Sequence, residues 1–262
     1  MSRRTVVKRS IPTRSLVTLQ SDFGLRDAYV AEMKAAILRH AREAILIDIT
    51  HDIPRHDVLC GSITLERAVD GFFPGVIHVA VVDPGVGTDR RILVVELKDQ
   101  VVICPDNGLI TWALRRHAGA RTHALRWRPK TSSNTFHGRD IMAPAAAMLA
   151  TGAKLSDLAE PIDDPVLLGV APAANDCGAI IHIDLFGNVT TNVPYDQLRG
   201  AAPQFKVRGK TIGRLKRTYG DVAPGKPLAL IGSSGLLEIA VRDGSAAKKL
   251  KLRVGDEIEI SR

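Results

Sequence analysis

Asp83 opens the turn Asp83-Pro84-Gly85-Val86-Gly87, and two arginines, Arg90 and Arg91, follow within a few residues. A proline and two glycines make a tight loop whose backbone a ligand can approach closely. An acid and a base at its two ends can hold and polarise a small polar reactant. Three further clusters share this texture: Ser21-Asp22-Phe23-Gly24, Pro105-Asp106-Asn107-Gly108 and Phe136-His137-Gly138-Arg139-Asp140. Singly, each reads as turn chemistry, because Asp-Gly and Asn-Gly pairs build turns. Gathered at strand ends, where open α/β sheets bind ligands, the four together read as a site. The loop at Asp83 is no phosphate cradle, since it lacks Gly-Lys-Ser/Thr and a third glycine at dinucleotide spacing. Asp22, His51, Asp52, Asp83 and His137 are of metal-ligating types, but no pair has ligand spacing, and no metal is expected. Ser233-Ser234-Gly235 departs from the Gly-x-Ser-x-Gly nucleophile turn and reads as a backbone-rich ligand loop.

These clusters need elements to hold them. SLVTLQSDFG, AILIDIT, VIHVAVVDPG, RILVVEL and QVVICPDNG are short apolar strands. DAYVAEMKAAILRHA, HDVLCGSITLERAVDGF, LITWALRRH and DIMAPAAAMLATG are helical segments between or after them, the first with Asp27 suited to cap its start. Such alternation predicts an α/β sheet with helices on both faces over 16–171. The proline- and acid-rich EPIDDPVLLGVAPAAND is the candidate linker. Beyond it, GAIIHIDLFGNVTTNV, QFKVRGKTI, LALIGSSGLLEIAVRDG and LKLRVGDEIEIS are short strands punctuated by glycine. They predict a smaller all-β barrel domain over 172–262.

Composition narrows the function classes. Aromatic residues make up only 4% of the 262, so the core must be aliphatic. No run approaches the roughly 18 apolar residues of a membrane helix, and no membrane partner is expected. The net charge of +8 resides largely in a basic tail, residues 1–15, and in residues 199–217, which hold seven Lys or Arg and no acid. That second stretch lacks interleaved aromatics and any nucleic-acid motif, so it reads as a solvated basic face rather than a nucleic-acid site. Three widely spaced cysteines, Cys60, Cys104 and Cys177, read as reduced residues of a cytoplasmic protein.

Taken in order, SDFG, DPGVGT-x-RR, PDNG, TFHGRD, LFGNVTTN and SSGLLEIAV resemble one family, the S-adenosylmethionine hydrolases (SAM hydroxide adenosyltransferases), relatives of fluorinase and chlorinase. The resemblance spans about residues 16–250. It implies an α/β first domain, a β-barrel second domain and a homotrimer whose sites lie between the first domain of one subunit and the second of its neighbour. The family's Asp–Arg–His triad falls on Asp83, Arg90 and His137. Asp22 matches the carboxylate that binds the ribose hydroxyls, and Asp184 the one that holds the methionine amino group. Asn188, Ser233, Glu238 and Val241 fall where the family contacts adenosine or methionine, the last motif largely through backbone groups. Tyr29 is a departure, standing where fluorinase has a methionine-contacting serine.

The resemblance implies hydrolysis of S-adenosyl-L-methionine to adenosine and L-methionine, with S-adenosylmethionine as substrate and no cofactor. Fluorinase has tyrosine, threonine and a halide-binding serine where Asp83, Val86 and Gly138 stand, so water or hydroxide is the expected nucleophile. The alternatives are chlorinase-type halide transfer and a protein that binds S-adenosylmethionine or adenosine without turnover. Displacement at the ribose C5′ expels a neutral thioether, so catalysis must mainly supply and aim the nucleophile. A partly dehydrated pocket favours attack, because hydroxide and sulfonium charge cancel as the bond forms.

Overall fold

The strand–helix alternation builds a seven-stranded sheet from β1 (Leu16–Ser21), β2 (Ile45–Thr50), β3 (Ile77–Val81), β4 (Ile92–Leu97), β5 (Gln100–Pro105), β6 (Arg121–Leu125) and β7 (Ala159–Pro161). The structure, a computed structural model, describes residues 15–171, 173–174, 176–198 and 203–261. The basic tail lies outside these residues apart from Ser15. The strand order is β2-β1-β3-β5-β4-β6-β7. Pairing is parallel from β2 through β5 and antiparallel from β5 through β7.

Both faces are covered, as expected. On one, α1 (Tyr29–His40) and α4 (Ala143–Ala150) pack with Val17, Leu19, Val79 and Ile103 through Met33, Ile37 and a run of alanines. On the other, Ala80, Leu93, Val95 and Val102 meet Leu65 and Val69 of α2 (Val58–Gly71) and Ala113 of α3 (Thr111–Arg116). Burying one such Leu or Ile side chain contributes roughly 1.5–3 kcal/mol. Asp57 caps α2 by accepting from Cys60 N at 2.9 Å. Asp27, however, caps nothing: α1 begins at Tyr29, its N-cap is Ala28, and no side chain caps it. One residue too far upstream, Asp27 lines a cleft instead. A π-helical turn, Gly138–Met142, leads into α4 and was not foreseen.

One polar line crosses this apolar sheet. Thr18 Oγ1 lies 2.7 Å from His78 Nδ1, and His78 Nε2 lies 2.7 Å from Gln100 Oε1. Gln100 Nε2 donates to the carbonyls of Val69 and Phe72. All three side chains are buried, and burial holds the His78 pKa below its usual value.

The chain divides into two compact units, up to Leu168 and from Gly169. The acidic stretch before that point is tied to the first unit. Arg91 donates to Asp164 Oδ1 at 2.7 Å, Val166 N to Asp106 Oδ1 at 2.7 Å, and Leu168 N to Thr111 Oγ1 at 2.8 Å.

The second unit is the expected barrel, closed in the order β10-β11-β12-β13-β9-β8-β14. Its strands are β8 (Cys177–Ile183), β9 (Val189–Pro194), β10 (Gln204–Val207), β11 (Lys210–Lys216), β12 (Pro227–Ile231), β13 (Leu236–Val241) and β14 (Glu257–Ser261). Alternate residues fill it: Phe205 and Val207, Leu237, Ile239 and Val241, Ile258 and Ile260. Lys206, Arg208, Lys210, Arg214 and Lys216, in the described part of the basic stretch, are exposed on and between strands β10 and β11. A short helix, Ala246–Leu250, capped by Ser245 and packed on the barrel core, also went unforeseen.

Candidate active site

The loop after β3 braces itself. Val86 N donates to Asp83 O at 3.2 Å, Thr88 N to Gly85 O at 3.2 Å, and Thr88 Oγ1 to Gly85 O at 2.7 Å. From the next strand end, Asn107 Nδ2 donates to Val82 O at 2.8 Å, so the PDNG turn supports the loop's base. The loop also passes very close to the chain before His137. Gly87 has φ +80°, and a Cβ there would stand 2.3 Å from Asn134 O. Only glycine fits that crossing.

This bracing brings Asp83, Arg90 and His137 together. Arg90 Nε donates to Asp83 Oδ1 at 2.6 Å, its Nη2 donates to Asp83 Oδ2, and the same Nη2 lies 3.1 Å from His137 Nδ1. The Arg90 and Asp83 side chains are 8% and 4% exposed. A guanidinium can only donate, so His137 Nδ1 accepts and the neutral ring carries its proton on Nε2. Burial first, and Arg90 second, hold the His137 pKa below its usual value.

The segment carrying His137 is closed on itself. Asp140 Oδ2 accepts from Ser133 N at 2.7 Å, and Asp140 Oδ1 accepts from Arg139 Nε at 2.7 Å. Arg139 also donates to Glu32 of α1 at 2.6 Å and lies over the Phe136 ring, 4.8 Å from its centroid. Gly138 admits no side chain comfortably, since a Cβ would meet Met33 Sδ at 3.3 Å.

Asp22 is held from both sides. Phe23 N donates to Ser21 Oγ at 3.3 Å, Ser21 Oγ lies 2.7 Å from His51 Nδ1, and Gly24 N donates to His51 O at 2.8 Å. His51 Nε2 faces Asp48 Oδ1 at 3.2 Å, and Lys34 holds the other carboxylate oxygen at 2.6 Å. Asp22 Oδ2 accepts from His56 N at 2.9 Å, with His56 at φ +63°. Asp22, Asp83 and His137 line one cleft of about 320 Å³, with Asp27, Arg55, His56, Val86 and the rings of Phe23, Tyr29 and Phe136.

In the second unit, Asp184 organises the β8–β9 turn. Its Oδ1 accepts from Asn188 N at 2.8 Å and its Oδ2 from Asn188 Nδ2 at 3.1 Å. Gly187 has φ +83°, and a Cβ there would meet Ser245 Oγ at 2.0 Å. The turn raises Leu185 and Phe186 into solvent, 99% and 76% exposed. Ser233 sits in the β12–β13 turn, which Gly232 and Gly235 close through Gly232 N to Leu236 O and Gly235 N to Gly232 O. Glu238 accepts from the Tyr219 hydroxyl at 2.7 Å. Burial and then Glu238 push the Tyr219 pKa up to about 12. Val241 lies apart from these turns: the residue is buried, its side chain packs in the barrel core and its carbonyl accepts from Gly244 N at 3.1 Å.

Sequence reading missed the His51 brace, the Arg139 clamp and Tyr219. In the sequence His51 signals only a metal-ligating residue type. Tyr219 carried a signal, as one of three tyrosines in a chain poor in aromatics.

Comparison with known proteins bears on the chemistry of this cleft. Residues 17–159 match the SAM hydroxide adenosyltransferase N-terminal domain, and residues 178–259 its C-terminal domain. A protein of Thermus thermophilus named (R)-S-adenosyl-L-methionine hydrolase is 37% identical over 92% of this chain and 97% of its own. One of the same name from Salinispora tropica is 35% identical over 94% of this chain and 97% of its own. A crystal structure of an uncharacterized conserved protein from Thermotoga maritima superposes with a TM-score of 0.87 at 35% identity, covering 94% of this chain and all of that one.

Proposed function

We propose, from the premise that the chain belongs to the SAM hydroxide adenosyltransferase family, that it is an enzyme hydrolysing S-adenosyl-L-methionine to adenosine and L-methionine. The relatives' names specify the R configuration at sulfur, and we take that epimer as the substrate. S-adenosylmethionine is the substrate and no cofactor takes part.

The observation that carries this reading is the hydrogen-bonded Asp83–Arg90–His137 cluster opening on the cleft that also holds Asp22. Asp22 takes the ribose hydroxyls, its free oxygen being the one His56 N does not engage. A water set against the cluster attacks C5′ in line with the C5′–S bond. As the C–O bond forms, the C–S pair leaves with sulfur, which becomes the neutral thioether of methionine. His137 donates from Nε2 to the attacking oxygen and orients it. Asp83 takes the water's proton through lone pairs that Arg90 leaves open, because a carboxylate offers about four acceptor positions. Arg90 stays protonated, so it takes no part in the proton transfer and keeps the other two in register.

Asp184, Asn188, Ser233 and Glu238, with the backbone at Val241, bind the adenosine and methionine ends from a neighbouring subunit of a cytoplasmic homotrimer. Mixing Asp22→Ala with Asn188→Ala chains after dissociation tests this, since mixed oligomers then contain some intact sites. No recovery of activity despite proven exchange removes the shared site.

The reaction itself is tested in ¹⁸O-labelled water with each sulfur epimer. One labelled oxygen on the 5′ carbon of adenosine is expected. Chlorodeoxyadenosine as the main product in chloride buffer would overturn hydrolysis in favour of halide transfer.

A further inference from the structure

The chain holds eleven aromatic residues among 262, two Trp, three Tyr and six Phe. Three of them meet at the cleft. Tyr29 and Phe136 stand edge-to-face with centroids 5.3 Å apart, Phe23 and Phe136 likewise at 5.7 Å, and Phe23 and Tyr29 lie 5.8 Å apart. The same rings line a second hollow of about 330 Å³ beside the first. Phe136 is nearly buried, but Tyr29 is 47% exposed. So large an apolar ring left open at a cleft is a surface that a ligand can cover.

One of these rings already receives a cation. Arg139 already lies over Phe136, 4.8 Å from its centroid, a cation on a π face. The substrate of the proposed reaction brings a second cation, the sulfonium, into the cavity that these rings share with Asp83 and His137. In-line attack puts sulfur on the far side of C5′ from the nucleophile, so the sulfonium cannot lie against Asp83 and must meet another wall.

We infer that Phe23, Tyr29 and Phe136 form an aromatic cage for the sulfonium, with Tyr29 supplying its open face, so that the enzyme selects the charged substrate over neutral thioethers. The inference rests on the hydrolase reading. Its kinetic consequence is specific. Sulfur loses its charge as C5′–S breaks, so the cage stabilises bound substrate more than the transition state. It favours binding, does not speed the chemical step, and lets go of the thioether product.

The test compares binding of S-adenosylmethionine and the neutral S-adenosylhomocysteine to wild type, Tyr29→Leu and Tyr29→Phe, alongside steady-state kinetics. Tyr29→Leu should lose about 3–30-fold in its preference for the sulfonium, with KM raised and kcat unchanged or higher. Tyr29→Phe, which keeps the π face, should retain the preference. Equal loss for both ligands in Tyr29→Leu means the ring only fills space or stacks on the base, and overturns the cage while hydrolysis stands. A fall in kcat with KM unchanged overturns it as well. Wild type that neither binds nor cleaves S-adenosylmethionine strikes the hydrolase reading itself, and the cage with it.

Discussion

Gly87→Ala should uncouple the nucleophile-holding cluster without touching any of its side chains. Two costs arise at this position. Alanine at φ +80° carries the left-handed penalty, about 1–2 kcal/mol. The new Cβ would stand 2.3 Å from Asn134 O, and that contact must open by about 0.7 Å to reach the 3.0 Å that real Cβ atoms keep. Asn134 O is main chain and cannot swing away, so either the loop holding Asp83 and Arg90 or the segment leading to His137 must shift. A misplacement near 1 Å costs about 10²-fold in rate, so kcat should fall about 10- to 100-fold. Two controls separate the causes. Gly85→Ala, in the same loop, meets nothing nearer than Thr88 Oγ1 at 3.6 Å and should keep wild-type kcat. Gly152→Ala, at φ +94° with nothing within 4 Å, pays the strain far from the cleft and should lose stability but not kcat. The assay is adenosine release at saturating substrate, with urea melts to report folding. A folded Gly87→Ala enzyme with wild-type kcat, or a Gly85→Ala enzyme equally crippled, would refute the reasoning.

Further outcomes follow from the same contacts. Arg90→Lys keeps the charge but cannot fork onto Asp83 while reaching His137, so kcat should fall by roughly 10²–10⁴ with KM little changed, measured on folded protein. His137 must be neutral for its Nδ1 to accept from Arg90, and burial with Arg90 depresses its pKa. The acid limb of the kcat profile should therefore lie below the ordinary 6.5, and a limb above that value would contradict the assignment. Glu66, with its side chain 2% exposed, has its pKa raised by burial from 4.5 to about 7, Arg116 opposing. The folded state then binds this proton more tightly than the unfolded state. Its stabilisation is complete below the unfolded value and is lost as pH rises through about 7, on the order of 3 kcal/mol in all. Glu66→Gln should flatten that decline between about pH 4.5 and pH 7 in chemical melts, and an unchanged slope would exclude Glu66 as its source.

Strand–helix alternation carried the first unit well, because β1, β3 and β5 are short, largely apolar runs bounded by turns. β6 escaped notice because Arg-Thr-His-Ala-Leu has neither a run nor a clean alternation, and it is held by pairing with β4 on one side and β7 on the other. The π-helical turn at Gly138–Met142 was invisible because composition does not signal an i→i+5 register. The motifs did name Asp83, Arg90 and His137. No spacing rule, however, joins Arg90 to a histidine 47 residues on; the loop crossing at Gly87 does that. Val241 shows the opposite limit, since a motif match cannot tell which way an alternating strand turns its side chain.

The polar line through the sheet bears on how the chain finds its register. β1 and β3 are buried on both faces, so sliding one past the other by two residues leaves every oily side chain on an acceptable face. The native register sets Thr18 against His78; a two-residue slip would set Thr18 against Ala80 or Val76 instead. The imidazole would then lose its Thr18 partner in the dry interior, at about 1–3 kcal/mol for the unsatisfied Nδ1, while its bond to Gln100 on the third strand would remain. Thr18, His78 and Gln100 thus act as a key and its wards, admitting one alignment among several that greasiness alone cannot tell apart. The two site loops that follow β1 and β3 inherit their relative height from that choice, so the lock lies some distance from the door it secures.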